Sequence, residues 1–371
     1  MKIGPTRMEV SLENFRHNFR AIREKCGTAR IIAVVKANAY GMGAVPVAWA
    51  LEGCGADFFA VATPDEAVEL REAGISAAIL VMGASPPRAA ETYVKLGISA
   101  AVSDLNFAAA LSREATRQNR AARVHLKIDT GMGRIGFSPE EASRAAETIH
   151  SLPGLDFEGV FTHFAKADEE DLSHTEAQFA IFKASVERIR GAGIPVRIAH
   201  CCNSGAVLAG LSHMYMNAVR PGHILSGLIP SPECRDGVSV RPCFEVKTAI
   251  SVIRELPEGT GVSYGHAYVT AAPERVAVLP IGYADGFGRE MSGIAEVLIR
   301  GTRCPVRGRI CMDQCVAGIS HVKDAETGDE AVLIGRQGAE AITIEEFARK
   351  KSSITGTVPV SFTGRVQRIY V

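Results

Sequence analysis

The segment IIAVVKA (31–37) is a short apolar run, rich in β-branched residues, with a lysine next to its end. Seven similar runs follow it, and amphipathic stretches separate them. The seven are FFAVAT (58–63), AAILVMG (77–83), ISAAVSD (98–104), VHLKID (124–129), FEGVFTHF (157–164), VRIAHC (196–201) and AVRPGHIL (218–225). Apolar runs that alternate with helical patterns are typical of parallel βα units, and eight units close a (β/α)8 barrel. We therefore predict an α/β, TIM-like barrel, because the count and even spacing disfavour the alternative, a doubly wound open sheet.

Helix start signals lie between these runs. Thr63-Pro64-Asp65-Glu66 and Ser138-Pro139-Glu140-Glu141 each have the composition of a capping box with proline at the first helical position. Further helical patterns lie at 11–25, 86–96, 104–118 and 174–191. Helices are thus predicted between the strands, as a barrel requires.

The pattern changes after about residue 235. Segments such as RVAVLPIGYADGF and EAVLIGR predict short strands interrupted by glycine and proline. One helical pattern remains, TIEEFARKK (343–351), with Thr343 as its cap. Since a single domain seldom exceeds about 250 to 300 residues, we predict a barrel domain at 1–235 and a mostly β domain at 236–371.

Charge and composition exclude several classes of protein. The 41 basic and 41 acidic side chains give a formal net charge of zero, so nothing indicates binding to nucleic acid or to a membrane surface. No window approaches the roughly 20 apolar residues of a membrane span. The nine cysteines are scattered, none has the spacing of a zinc site, and no apolar signal region is visible at the N-terminus. We expect a cytoplasmic protein without a metal.

Reactive side chains fall where a barrel gathers its chemistry, at the C-terminal ends of the strands. These are Lys36, Lys127, Arg134, His163, Ser204, Arg220 and His223. A lysine in an apolar strand is costly unless its charge is paired or its pKa is lowered, so Lys36 is a candidate Schiff-base amine. The glycines beside Ser204 and His223 would let a phosphate approach the backbone, with ordinary turn glycines as the alternative.

GMGRIG (131–136) matches the dinucleotide-binding fingerprint only weakly. It follows the fifth run, and the helix signal begins only at Ser138. We interpret it as a tight loop that displays Arg134. Tyr264 does not stand out by composition, because a tyrosine in a β domain is usually a packing residue.

Eight motifs together closely resemble the bacterial alanine racemases, which are fold-type III enzymes dependent on pyridoxal phosphate (PLP). The motifs are AVVKANAYGMG (33–43), LKIDTGMGRIGF (126–137), THFAKADEE (162–170), HCCNSGAV (200–207), VRPG (219–222), VSYGHAY (262–268), LPIGYADGF (279–287) and GRICMDQC (308–315). They occur in the family's order along almost the whole chain. The resemblance implies interconversion of L-alanine and D-alanine, which supplies D-alanine for peptidoglycan.

The resemblance also implies roles for the barrel residues. Lys36 would hold PLP covalently, and Arg220 would hydrogen-bond the pyridine nitrogen with support from His163. The phosphate would be held by Tyr40, Ser204, Gly222 and His223. Arg134 would contact the ring hydroxyl and the substrate carboxylate. Lys127 is similar to a lysine that is often carbamylated in this family, which would position Arg134.

Tyr264, Tyr283 and Met312 would reach the site from the partner subunit of a homodimer, according to the same resemblance. Racemisation removes the Cα proton and returns one to the opposite face, so it needs two proton-transfer groups. Lys36 and Tyr264 meet that need if their pKa values, ordinarily about 10, are lowered. The resemblance therefore implies a shared site and an inactive monomer.

One position departs from the family's pattern. The family usually has a tyrosine before the last arginine-valine pair, whereas this chain reads SFTGRVQR with Gly364 there. A phosphate contact is lost and space is gained beside the substrate, which predicts broader alanine and serine racemisation.

Three rival functions remain. A fold-type III decarboxylase of basic amino acids usually carries a GGG phosphate loop and a Cys-Glu-Ser motif, and neither is visible here. A non-catalytic PLP-binding protein would resemble the barrel alone. A periplasmic broad-specificity racemase usually begins with a signal peptide.

Overall fold

The computed structural model describes residues 3–234 and 237–371, which form two compact units. One unit is Glu13–Arg241, and the other joins the N-terminal residues up to Leu12 to Pro242–Val371. The boundary expected between residues 235 and 236 lies outside the described residues.

The first strand, β1 (Arg7–Val10), belongs to the second unit although it was expected in the barrel domain. It pairs in antiparallel fashion with Phe244–Ala249 and in parallel fashion with Gln367–Tyr370. The sequence pattern could not show this, because strand pairing across more than 200 residues leaves no local signal.

The barrel unit contains one parallel sheet of nine short strands in the order β2-β10-β9-β8-β7-β6-β5-β4-β3. Their bounds are β2 (Arg30–Ile31), β3 (Ala33–Val34), β4 (Phe58–Val61), β5 (Ala78–Val81), β6 (Ser99–Val102), β7 (Ala122–Lys127), β8 (Leu155–Phe161), β9 (Ile198–His200) and β10 (Ala218–Val219). β2 and β3 are halves of one interrupted strand: Ile32 N donates to Val219 O on one side, and Val35 N donates to Ala60 O on the other, both at 2.9 Å. This strand closes the sheet, and the predicted TIM-like barrel is confirmed.

One helix precedes the barrel strands and the others connect them. They are α1 (Leu12–Cys26), α2 (Lys36–Tyr40), α3 (Ala44–Glu52), α4 (Pro64–Glu72), α5 (Ala90–Leu96), α6 (Leu105–Arg117), α7 (Ala142–Ser151), α8 (Ser173–Gly191) and α9 (Ser204–Leu208). Of these, α2 is a single left-handed turn. The predicted capping box is present at the start of α4, where Thr63 and Glu66 exchange hydrogen bonds. Ser138 and Glu141 make the same exchange, but α7 begins only at Ala142 because a turn intervenes.

The second unit is mostly β, as predicted. Its remaining strands are β11 (Phe244–Ala249), β12 (Val252–Leu256), β13 (Gly261–Val262), β14 (Tyr268–Val269), β15 (Glu274–Leu279), β16 (Glu296–Ile299), β17 (Thr302–Arg307), β18 (Cys315–Gly318), β19 (Glu330–Gln337), β20 (Glu340–Ile342) and β21 (Gln367–Tyr370). Ten strands form one sheet in the order β12-β15-β18-β17-β16-β19-β11-β1-β21, with β20 beside β19, and β13 pairs with β14.

Two helices complete the second unit. α10 (Ile344–Lys350) begins at the predicted cap, where the Thr343 side chain accepts a hydrogen bond from Glu346 N. α11 (Thr357–Ser361) was not predicted, because five residues with a central proline carry no helical periodicity. Across residues 3–234 and 237–371, every helix lacks the combination of length and apolar character that a membrane span requires.

Candidate active site

A left-handed turn follows β3 at the mouth of the barrel. Lys36 opens it, and Ala37–Tyr40 all have positive φ angles, between 50° and 55°. This conformation costs an L-amino acid roughly 1–2 kcal/mol per residue, and none of the four is glycine. The turn is held at its start by Glu66, whose carboxylate accepts a hydrogen bond from Ala37 N at 2.6 Å. Its end is held by Gly41, whose N–H donates to Ala37 O at 2.8 Å. Strain of this kind is typical of functional sites.

The Lys36 amine lies in a cationic environment. Burial lowers its pKa, the positive charges of Arg134 and Arg220 lower it further, and the carboxylate of Glu66 opposes them. The net pKa is below the ordinary value. A larger fraction of the amine is therefore neutral near physiological pH, and the neutral form is the nucleophile and base.

Beside this turn, a cradle of small groups is built around Gly222. Its N–H donates to Ser204 Oγ at 3.0 Å. A Cβ at Gly222 would lie 2.2 Å from the Tyr40 hydroxyl oxygen, so only glycine fits. The His223 ring lies 4.9 Å from the Tyr40 ring, and burial followed by the charge of Lys36 lowers the His223 pKa to about 4. The backbone at Gly222, the Ser204 hydroxyl and the Tyr40 phenol are groups that can bind a phosphate.

Arg220 is almost fully buried, and its guanidinium donates to four acceptors. One Nη donates to His200 Nδ1 at 2.8 Å, and the other donates to Thr162 O at 2.7 Å, Cys201 O at 3.1 Å and His163 Nδ1 at 3.3 Å. Burial lowers the Arg220 pKa to about 10. Among the described residues, no carboxylate forms an ion pair with this guanidinium.

Two buried histidines link Arg220 to the carboxylate of Glu158 by hydrogen bonds. Since an arginine only donates, His200 Nδ1 accepts and its Nε2 carries the proton. His200 Nε2 then donates to His125 Nδ1 at 2.9 Å, and His125 Nε2 donates to Glu158 Oε2 at 2.9 Å. Burial opposes ionisation of Glu158, but the hydrogen bonds from His125 and Ser99 and the positive charge of Arg123 prevail and lower its pKa to about 2. The donor directions thus run from Arg220 to Glu158.

His125, His200 and Glu158 were not predicted as site residues from the sequence. Each is a polar residue inside an apolar run: VHLKID, VRIAHC and FEGVFTHF. Buried polar groups in barrel strands must be hydrogen-bonded, and that was the signal available.

The loop after β7 presents Arg134. Asp129 Oδ1 accepts from the N–H groups of Gly131, Met132 and Gly133 at 2.9–3.1 Å, and Oδ2 accepts from Arg134 N at 3.1 Å. One carboxylate therefore organises the GMGRIG segment as a tight loop and leaves the Arg134 side chain exposed.

Lys127, at the end of β7, is buried beneath this loop. Its Nζ donates to Ile128 O at 2.7 Å and to Ile135 O at 3.2 Å. Burial is the main reason why its pKa falls to about 8.

The barrel residues expected at the site lie together. Burial lowers the pKa of His163 well below its ordinary value, and the charges of Arg220, Arg134, Lys36 and Lys127 lower it further. His163 is therefore neutral, and these four cations surround it at one end of the barrel.

The three residues expected from the β unit lie on its surface. Tyr264, Tyr283 and Met312 are 66%, 40% and 51% exposed. The Tyr283 N–H donates to Cys311 O at 3.0 Å, which places it beside the segment that carries Met312. Tyr264 and Met312 share an open pocket of about 650 Å³. The pocket is lined by Ser263, Tyr264, Gly265, His266, Cys311, Met312, Asp313 and Gln314.

Comparison with known families decides the identity of this arrangement. The family model of the alanine racemase N-terminal domain matches residues 10–230, and that of the alanine racemase C-terminal domain matches residues 243–370. The chain belongs to the alanine racemase family. It is therefore an isomerase that acts on amino acids.

Individual alanine racemases match over almost their whole length. Alanine racemase 2 of Caldanaerobacter subterraneus subsp. tengcongensis is 41% identical over 372 residues, covering 100% of this chain and 96% of that protein. The solved alanine racemase of Clostridium difficile 630 is 38% identical with a TM-score of 0.95, covering 100% of this chain and 97% of that one. A complex of the Clostridium difficile enzyme with cycloserine is 36% identical with a TM-score of 0.92, covering 100% and 96%.

Gly364, the position where the resemblance led us to expect a tyrosine, has open space around its Cα. A Cβ at this position would meet nothing within 4 Å in the chain, and the residue does not have a positive φ. A larger side chain is therefore compatible with the local backbone.

Proposed function

We propose that this chain interconverts L-alanine and D-alanine with PLP held covalently by Lys36, and that it supplies D-alanine for peptidoglycan. The observation that carries the proposal is the Lys36 amine, which has a lowered pKa and lies beside a cradle suited to phosphate. Family membership and the cycloserine complex of the Clostridium difficile relative support an amino-acid substrate.

The donor set of the barrel fits PLP. Tyr40, Ser204, Gly222 and His223 would hold the phosphate group. Arg220 would donate to the ring nitrogen with support from His163. When bound, the cofactor supplies an electron sink for the charge that develops at the substrate Cα.

Arg220 would keep its proton throughout. Its pKa of about 10 lies below that of an ordinary arginine but still well above neutrality. A donor that does not surrender its proton keeps the ring a weak electron sink, and this disfavours transamination. His200, His125 and Glu158 orient this guanidinium from below.

Two bases would act on opposite faces of the substrate. Lys36 takes or returns the Cα proton on one face, and Tyr264 of the partner subunit does so on the other. Tyr264 is 66% exposed in the single chain, which suits a surface that a second copy completes. We therefore propose a homodimer with shared sites.

Substrate would be bound by three further residues. Arg134 would bind the carboxylate, and Tyr283 and Met312 of the partner subunit would line the opposite wall. Carbamylation of Lys127 would position Arg134. Lys127 is suited to this modification because the neutral amine is the form that reacts with CO2, and its pKa is about 8.

One experiment tests both the reaction and the role of Gly364. The purified protein is incubated with L-alanine or L-serine in D2O, and chiral analysis and deuterium at Cα are measured. We expect exchange with inversion for alanine and slower exchange for serine. Gly364→Tyr should reduce kcat/KM for serine by roughly tenfold relative to alanine, because the ring fills the space beside the substrate.

The contradicting outcomes are distinct. Absence of Cα exchange with any amino acid at full PLP occupancy would overturn the proposed reaction. Equal kcat/KM for serine in the wild type and Gly364→Tyr would overturn broad specificity alone. Release of CO2 from lysine, ornithine or arginine would indicate the decarboxylase instead. The cytoplasmic location stays a prediction.

A further inference from the structure

Glu66 makes more hydrogen bonds than its place in a helix cap requires. Its Oε2 accepts from Thr63 N at 3.2 Å, which completes the capping box of α4, and from Ala62 N at 2.7 Å. Its Oε1 accepts from Ala37 N at 2.6 Å. A capping box needs only the bond to the cap residue. The carboxylate therefore also ties the start of α4 to the end of the neighbouring strand.

The Ala37 N–H belongs to the peptide bond that follows Lys36. This is the point at which the backbone enters the left-handed turn of Ala37–Tyr40. An L-residue leaves this conformation readily unless its neighbours hold it, and Glu66 binds the first N–H of the turn. The hydrogen bond thus restricts the backbone that carries the Lys36 side chain.

The carboxylate of Glu66 also acts on the Lys36 amine by charge. The charged and titratable groups around that amine are Glu66 from α4, Arg134 from the loop after β7, His163 after β8, and Arg220 and His223 at and after β10. Within the described residues, Glu66 is the one group that favours the protonated amine, whereas burial, Arg134 and Arg220 oppose it.

We propose that Glu66 is a positioning residue for Lys36: its carboxylate fixes the peptide bond after the lysine and supplies the negative charge that balances the surrounding cations. The inference rests on the proposed function only in taking Lys36 as the reactive amine. It adds to that function a residue outside the cofactor cradle that sets both the orientation and the basicity of the amine.

The test measures the titration of Lys36 without substrate or cofactor. The full-length chain, freed of cofactor, is labelled with limiting acetic anhydride across a pH series, and peptide mass spectrometry gives the acetylated fraction of Lys36. In Glu66→Gln we expect the midpoint to fall by about one pH unit, because an amine that loses a nearby negative charge gives up its proton more easily. A purely structural role would not move this midpoint.

Glu141→Gln is the matched control. Glu141 is the carboxylate of the second capping box, where it accepts from Ser138 N at 3.1 Å, and it does not act on Lys36. This variant should keep the wild-type midpoint. The same midpoint in the wild type, Glu66→Gln and Glu141→Gln would overturn the proposal.

Glu66→Asp separates the effect of the carboxylate charge from that of its hydrogen bond to the Ala37 N–H. It keeps the charge but shortens the side chain, so the Lys36 midpoint should stay near that of the wild type while hydrogen exchange at the Ala37 amide becomes faster. If Glu66→Gln does not fold, unchanged exchange at Ala37 in Glu66→Asp overturns the proposal. Failure of racemisation in the wild type would overturn the proposed function without altering these labelling results.

Discussion

The barrel mouth and the surface around Tyr264 differ in how far their side chains are buried and held in place. At the mouth, Lys36 and Arg220 are largely or fully buried and have lowered pKa values. Several hydrogen bonds hold the Arg220 guanidinium, and Glu66 binds the peptide N–H that follows Lys36. On the β unit, Tyr264 and Met312 are more than half exposed beside an open pocket. The residues proposed to hold the cofactor are thus already fixed within one chain, whereas Tyr264, the proposed opposing base, lies on a surface that is still open to water.

The largest loss of racemase activity is expected when either proposed base, Lys36 or Tyr264, is substituted. Lys36→Ala and Tyr264→Phe should each reduce racemase activity by about a thousandfold, because each removes one proton-transfer group. Co-expression of the two variants in equal amounts should restore about a quarter of wild-type activity, because half of the dimers are mixed and one of their two sites is intact. The measurement is specific activity after purification of the mixture.

The same experiment distinguishes a site shared between two subunits from a site within one chain. If both residues served a site within one chain, every site in the mixed dimer would carry a defect, and co-expression would restore nothing. Mixing Lys36→Ala with inactive Lys36→Arg is the control, and it should stay inactive.

A second prediction concerns the charge beneath Arg220. At pH 7, Glu158→Gln should lower the free energy of unfolding of the barrel by about 3 kcal/mol, because the pKa of Glu158 falls from an ordinary 4.5 to about 2 on folding. A carboxyl group whose pKa is lowered by folding stabilises the fold at every pH above its ordinary pKa. This stabilisation is lost as the pH falls from the ordinary pKa to the pKa in the folded protein. The difference between variant and wild type should therefore shrink from pH 4.5 to about 2. Urea unfolding followed by fluorescence of Trp49, the only tryptophan, reports on the barrel.

Ser99→Ala is the control for this prediction. It removes one hydrogen bond to Glu158 and keeps the charge, so the loss should be about 1 kcal/mol and should change less with pH. An equal loss for Glu158→Gln at pH 7 and pH 3 would show that its charge does not contribute.

The smallest change in activity is expected from loss of carbamylation. The test compares carbamate formation at Lys127 of the barrel unit and at Lys247 of the β unit. With 13C-bicarbonate, NMR should show one carbamate signal that Lys127→Met removes and Lys247→Met keeps. The pKa of Lys127 is about 8, whereas hydrogen bonds to Glu245 and Glu9 raise that of Lys247 against its burial, so Lys247 stays protonated. Removal of CO2 should lower activity roughly fivefold, the equivalent of one hydrogen bond on Arg134. A signal that survives in Lys127→Met would contradict the assignment.

Local patterns in the sequence were enough for much of the fold. Eight apolar runs became the barrel strands, and the caps at Thr63 and Thr343 start α4 and α10. Both kinds of signal depend on residues close together in the chain, so tertiary contacts are not needed to read them. The family motifs also brought Lys36, Arg134, His163 and Arg220 to notice, but their roles remain predictions.

Lys36 illustrates which properties of the site can be predicted from the sequence and which require the folded structure. The sequence by itself determined that a lysine ends the first barrel strand and that its motif is that of the alanine racemases. The tertiary structure shows that the next four residues form a left-handed turn, that Glu66 holds this turn from another helix, and that two histidines link Glu158 to Arg220 by hydrogen bonds. These features arise from contacts between residues far apart in the chain, and the burial and charge that set a pKa exist only after the strands have closed.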